Sequence, residues 1–73
     1  MDTPEQQLLS VVIPAHNEES GIAHALAVIG EILDGCGMDW EIIVVDDGSS
    51  DRTFDRLREL AKVGRRPPVR AVR

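Results

Sequence analysis

The side chains that could do chemistry gather in two short polar segments, Ala15-His16-Asn17-Glu18 and Asp46-Asp47-Gly48-Ser49. Each follows an apolar run rich in β-branched residues. An ionised carboxylate only accepts hydrogen bonds, so these segments suit a ligand that presents donors. The ring N–H of uracil or guanine and the hydroxyls of ribose are such donors. Asp46 or Asp47 could take the ring N–H, while Glu18 or Asn17 reaches the base or the ribose. His16 offers a flat ring on which a base could stack, and Gly48 lets the backbone turn closely beneath it.

The same residues argue against two other nucleotide sites. A dinucleotide-binding turn needs a glycine-rich stretch after the first strand to cradle pyrophosphate. Pro14 to Gly21 has one glycine and two carboxylates, which would repel phosphate. No P-loop sequence is present. The segments therefore suit a base and a sugar, with the diphosphate held elsewhere.

The elements that must position these segments can be read from the apolar pattern. Leu8 to Ile13 and Glu41 to Val45 are nearly continuous apolar runs and read as strands buried on both faces. Pro14 cannot donate to a sheet ladder and ends the first. Ile22, Leu26, Ile29 and Leu33 fall on one helical face, with Ser20 as candidate N-cap and Gly35 and Gly37 as terminators. Phe54, Leu57, Leu60 and Ala61 mark a second helix, capped by Ser50 or Asp51 and closed by Gly64 and Pro67-Pro68. Val69 to Val72 opens a third strand. We expect strands near 8–14, 41–46 and 69–72, in spatial order 3-2-1, and helices near 20–34 and 51–63. The β-α-β-α-β order implies an α/β, Rossmann-like parallel sheet with right-handed crossovers. Two such crossovers in one direction put both helices on one face, leaving some of Val12, Ile13, Ile43 and Val45 uncovered on the other. Open α/β sheets bind ligands at the carboxyl ends of their strands, where both polar segments lie.

Composition sets the outer limits. Seventy-three residues, 42% hydrophobic and 29% charged, make one small globular domain. Residues 1–51 hold eleven acidic residues and no Lys or Arg, and residues 52–73 hold all eight basic residues against Asp55 and Glu59, for a net charge of −5. The basic block could meet phosphates or anionic lipid, but it reads first as a solvated helix face and an arginine-rich loop, and no nucleic-acid partner is expected. Cys36 is the only cysteine; it allows neither a disulfide framework nor a cysteine zinc site and is expected to be a buried or half-buried thiol. The polar tail 1–7 lacks the features of a signal peptide, and the run Leu8 to Ala15 is too short to cross a bilayer. A cytoplasmic setting is expected, with membrane association only through sequence beyond this chain. His24 should be an exposed helix residue, Trp40 a packing residue at the lower sheet edge, and Ser49 and Ser50 turn and cap residues rather than nucleophiles.

Two motifs in order, Ser10-Val11-Val12-Ile13-Pro14-Ala15-His16-Asn17-Glu18-Glu19 and Glu41-Ile42-Ile43-Val44-Val45-Asp46-Asp47-Gly48-Ser49-Ser50-Asp51-Arg52-Thr53, resemble the opening of family 2 glycosyltransferases of the GT-A fold, closest to the dolichyl- and polyprenyl-phosphate sugar synthase branch. The resemblance covers residues 8–73. It implies that Pro14 and Ala15 shape the turn around the base and that His16 lies beside it. Asn17 and Glu18 would line the nucleoside site, and Asp46 and Asp47 would stand at the second strand's end with Asp47 as the base contact. With Gly48, these eight residues form the candidate nucleotide site. The resemblance further implies a UDP- or GDP-sugar donor, a lipid-phosphate or saccharide acceptor, and a divalent cation (Mg or Mn) held by a downstream Asp-x-Asp. No catalytic or metal-binding residue is assigned within this chain, and the isolated chain is expected to be inactive and poorly stable or self-associating. The rival reading is a non-catalytic nucleotide-binding or interaction module, or a degenerate gene remnant. An Asp-x-Asp encoded downstream would discriminate between them.

Overall fold

Alternating apolar runs and amphipathic segments condense into three strands and two helices in the computed structural model, which describes residues 7–62, 64 and 66–73. These are β1 (Leu8–Ala15), α1 (Ile22–Leu33), β2 (Asp39–Asp46), α2 (Thr53–Leu60) and β3 (Val69–Val72). The sheet is parallel with β2 in the middle, as the expected 3-2-1 order requires. Its register aligns Val11 with Ile42 and Ile42 with Val69, and brings Ala15 beside Asp46 at the carboxyl end.

Both helices pack on one face. Ile22 and Leu26 from α1 and Leu57 from α2 join Ile42, Val44 and Val69 in a single buried cluster. Fully burying such side chains contributes about 1.5–3 kcal/mol each. The strands are consequently not buried on both faces, as their continuous apolar runs had suggested. Side chains of a strand alternate between faces, and β2 alternates strictly: Trp40, Ile42, Val44 and Asp46 are buried and the residues between them are not. On the open face Val12 is 62% exposed and Val72 42%, while Ile13, on the covered face, packs against the core. Ser10 and Arg70 cross the open face to meet Glu41, Ser10 donating to its carboxylate at 2.7 Å and Arg70 standing 3.6 Å from it.

Both helix starts differ from expectation: the N-cap residue of α2 is Arg52, which makes no side-chain cap bond, rather than Ser50 or Asp51. Ser20 does not cap α1; Gly21 is the N-cap residue and makes no side-chain bond. The carbonyl of Glu18 instead accepts the N–H groups of Gly21 and Ile22 at 3.1 and 2.9 Å. At α2 the carboxylate of Asp51 accepts the Thr53 N–H at 2.9 Å. This helix ends at Leu60, short of the expected 63, and Val63 lies outside the described residues, as do residues 1–6 of the polar tail and Arg65 of the basic loop.

The lower end of the sheet is an apolar wedge. Trp40 is 7% exposed and packs on Gly30 of α1, where an added Cβ would lie 3.3 Å from the indole and 3.1 Å from Pro67. The Arg66 guanidinium covers the indole ring at 5.0 Å. Cys36 is exposed rather than buried; it follows the end of α1 in a turn that no element covers. His24 is exposed, as expected.

Candidate functional site

The two polar segments meet because their strands are neighbours. Parallel pairing runs to Ala15 and Asp46, and the Asp47 N–H extends it by donating to the Ala15 carbonyl at 2.8 Å. Beyond that point the loops after β1 and β2 are stitched together mostly by side chains. The His16 ring donates from Nδ1 to the Asp47 carbonyl at 2.7 Å, since a carbonyl can only accept. That leaves Nε2 as the acceptor for the Asn17 side-chain amide at 3.3 Å. Both nitrogens of His16 are thus spent within the site, and it presents a ligand with its ring face.

Asn17 turns the chain. Its φ of 51° is the only positive value among the described non-glycine residues, and Asn is among the few residue types that visit this region readily. Its N–H donates to the Ser49 hydroxyl at 2.9 Å, and its side-chain carbonyl accepts the Ser50 N–H at 2.8 Å. The neighbouring N–H groups are also engaged: Glu18 donates to the Thr53 hydroxyl at 2.7 Å and Glu19 to Asp51 at 3.3 Å. A phosphate-binding loop must leave such donors free for its ligand. This loop consumes those of Asn17, Glu18 and Glu19 in joining its neighbour.

The structure separates the two aspartates. Asp46 continues the buried parity of β2, and its side chain has no exposed area. One carboxylate oxygen accepts the Ser49 hydroxyl; the other, Oδ2, lies 3.3 Å from Arg73 Nε with no hydrogen bond directed at it. Asp47 is exposed, as are His16, Asn17, Glu18 and Gly48. Among the described residues no hydrogen bond engages the carboxylates of Asp47 or Glu18. Gly48 has φ 66° and open space around its Cα, so backbone conformation rather than crowding calls for glycine. Pro14 is exposed on the open face, and Ala15 is 3% exposed, leaving its carbonyl as its contribution to the rim.

Sequence reasoning missed Thr53 and gave Ser49 only a turn. Thr53 is fully buried, accepting from Glu18 and donating its hydroxyl to Asp51. The Thr53 hydroxyl first, and then the N–H groups of Thr53 and Glu19, hold the Asp51 carboxyl below its ordinary value of 3.8. A hydroxyl two residues beyond Asp51, an expected cap, was the available signal. Among the described residues no three His, Cys, Asp or Glu side chains converge as a metal-ligand set. Of the larger clefts, one of about 680 Å³ borders the rim at Asn17 and runs past Glu19 and Ser20 along α2 as far as Glu59, and another of similar size lies at the far end of the sheet beside Trp40 and Arg66. No described helix is long and apolar enough to cross a membrane.

Comparison with known proteins bears on what this rim is for. The protein-family model described as Glycosyl transferase family 2 matches residues 10–73. An undecaprenyl-phosphate 4-deoxy-4-formamido-L-arabinose transferase of Edwardsiella ictaluri is 44% identical over 90% of this chain and 19% of its own length. A dolichol-phosphate mannosyltransferase of Pyrococcus furiosus is 37% identical over 89% of the chain and 17% of its own. A dolichyl-phosphate beta-glucosyltransferase of Saccharomyces cerevisiae is 41% identical over 80% and 18%. The chain therefore spans about a fifth of the length of these relatives. No solved structure matches it significantly.

Proposed function

We propose that this chain, which belongs to glycosyl transferase family 2, forms the wall of a sugar-transferring site that holds the base and ribose of a nucleotide-sugar donor. The carrying observation is the pair of exposed, unengaged carboxylates, Asp47 and Glu18, beside a histidine whose nitrogens are both occupied. Asp47 accepts the ring N–H of uracil or guanine, Glu18 accepts from ribose, and the His16 ring stacks on the base. With the N–H groups of Asn17, Glu18 and Glu19 spent internally, the diphosphate is met by other parts of the full-length protein.

The relatives named for undecaprenyl- and dolichyl-phosphate support a lipid phosphate as the acceptor in the full-length protein. A divalent cation bound there would neutralise the diphosphate leaving group. Among the described residues no three ligating side chains converge, and its ligands are assigned to the rest of the full-length protein. The 73 residues alone recognise a nucleoside and transfer no sugar.

Equilibrium binding to uridine, guanosine, UDP, GDP and inorganic pyrophosphate tests this reading. One nucleoside and its diphosphate should bind with similar, weak affinity, and pyrophosphate should neither bind nor compete. Binding of pyrophosphate as strong as that of the nucleotide would overturn it.

A further inference from the structure

Resting on the nucleotide-rim reading, we propose that Asp46 is a positioning residue of the site rather than one of its contacts, acting through Ser49 on the backbone of Asn17. With no exposed side-chain area, Asp46 offers a ligand nothing to touch. Its Oδ1 holds the Ser49 hydroxyl, and that same hydroxyl accepts the Asn17 N–H at 2.9 Å. Asn17 sits at φ 51°, a conformation open to Asn more readily than to other non-glycine residues yet only one of several it samples unless its bonds select it. The Asn17 side chain, bonded to Ser50 and His16, completes the hold. This turn aims the His16 ring and the Glu18 carboxylate at the rim.

Arg73 makes the arrangement tenable. A buried carboxylate needs a counter-charge, and Arg73 Nε lies 3.3 Å from Asp46 Oδ2. The same guanidinium rests on the Phe54 ring of α2, 4.5 Å from its centroid. The end of β3, the first turn of α2 and the loop after β1 are thereby joined through one carboxylate. Asp47, one residue on, faces out and does the contacting. The adjacent aspartates divide the work by strand parity.

The experiment compares Ser49→Ala, Ser49→Thr and Asp46→Asn in this chain, with two readouts. One is the intraresidue amide–Hα cross-peak of Asn17, strong when φ is positive; the other is affinity for UDP and GDP. Ser49→Ala should lose the strong cross-peak and weaken nucleotide binding about five-fold, the order expected for one hydrogen bond. Ser49→Thr, which keeps the hydroxyl, should restore both. Asp46→Asn should shift both readouts in the same direction as Ser49→Ala, and it carries the test if that variant does not fold. Unchanged Asn17 geometry and unchanged affinity in the folded variants would overturn the proposal. If the wild-type chain binds neither nucleotide while Ser49→Ala still releases Asn17, positioning stands and the assignment of the rim's ligand falls.

Discussion

The two ends of the sheet are held by different physics. At the lower end Trp40, Gly30 and Pro67 interlock by shape, and the binding force is burial of apolar surface. At the upper end the loops after β1 and β2 are joined by hydrogen bonds that pair Asn17 with Ser49 and Ser50, Glu18 with Thr53, and Glu19 with Asp51. Apolar packing is strong and indifferent to direction. Hydrogen bonds contribute less net stability, yet they fix where each group points. The lower end therefore keeps the chain folded, and the upper end keeps a small set of acceptors aimed outward.

This contrast is open to breakage by substitution. Trp40→Ala should have the largest effect, about 3–5 kcal/mol of stability. For a domain this small that removes most of the folded population, visible as loss of a cooperative urea transition. A milder loss with weaker nucleotide binding would mean the ends are not separate. Asp47→Asn should do the opposite. Losing a charged acceptor costs about 1.5–3 kcal/mol of binding, at least ten-fold in affinity by isothermal titration, with the thermal midpoint unchanged. Thr53→Val should fall between them. It strands the Glu18 N–H and costs about 1–3 kcal/mol, read by urea unfolding, and it weakens nucleotide binding because the loops part.

How far the sequence foretold this contrast depends on the end. Strand and helix positions followed from apolar period, and the uncovered face followed from crossover handedness, which Val12 bears out at 62% exposure. Trp40 was legible as a packing residue, but its partner Gly30 was not, because close approach across a helix leaves no local signal. At the upper end both loops were legible as polar rims. The opposite orientations of Asp46 and Asp47 were not drawn from the sequence, although the alternation Trp40, Ile42, Val44, Asp46 carries them. Side-chain propensity points to Ser20 as the cap of α1 and cannot foresee that the Glu18 carbonyl takes over.

The smallest predicted effect sharpens the same contrast by pH. The Asp51 carboxyl titrates below 3.8 in the folded chain, chiefly because Thr53 bonds to it. Its contribution is complete above the unfolded value and drains as pH falls through the lower, folded one. Thermal unfolding followed from pH 5 to pH 2 (about the window of a carboxylate) should show that added loss in the wild type and not in Asp51→Asn. Matching profiles for the two would remove Asp51 from the upper-end network.

The most direct test of the rim itself is a map of amide shifts on titrating the chain with UDP and with GDP. Shifts should concentrate at His16, Asn17, Glu18, Asp47 and Gly48 for at least one of the two, and leave Trp40 and Gly30 unmoved. Shifts confined to the basic residues around Arg66 would show charge attraction alone and contradict the account.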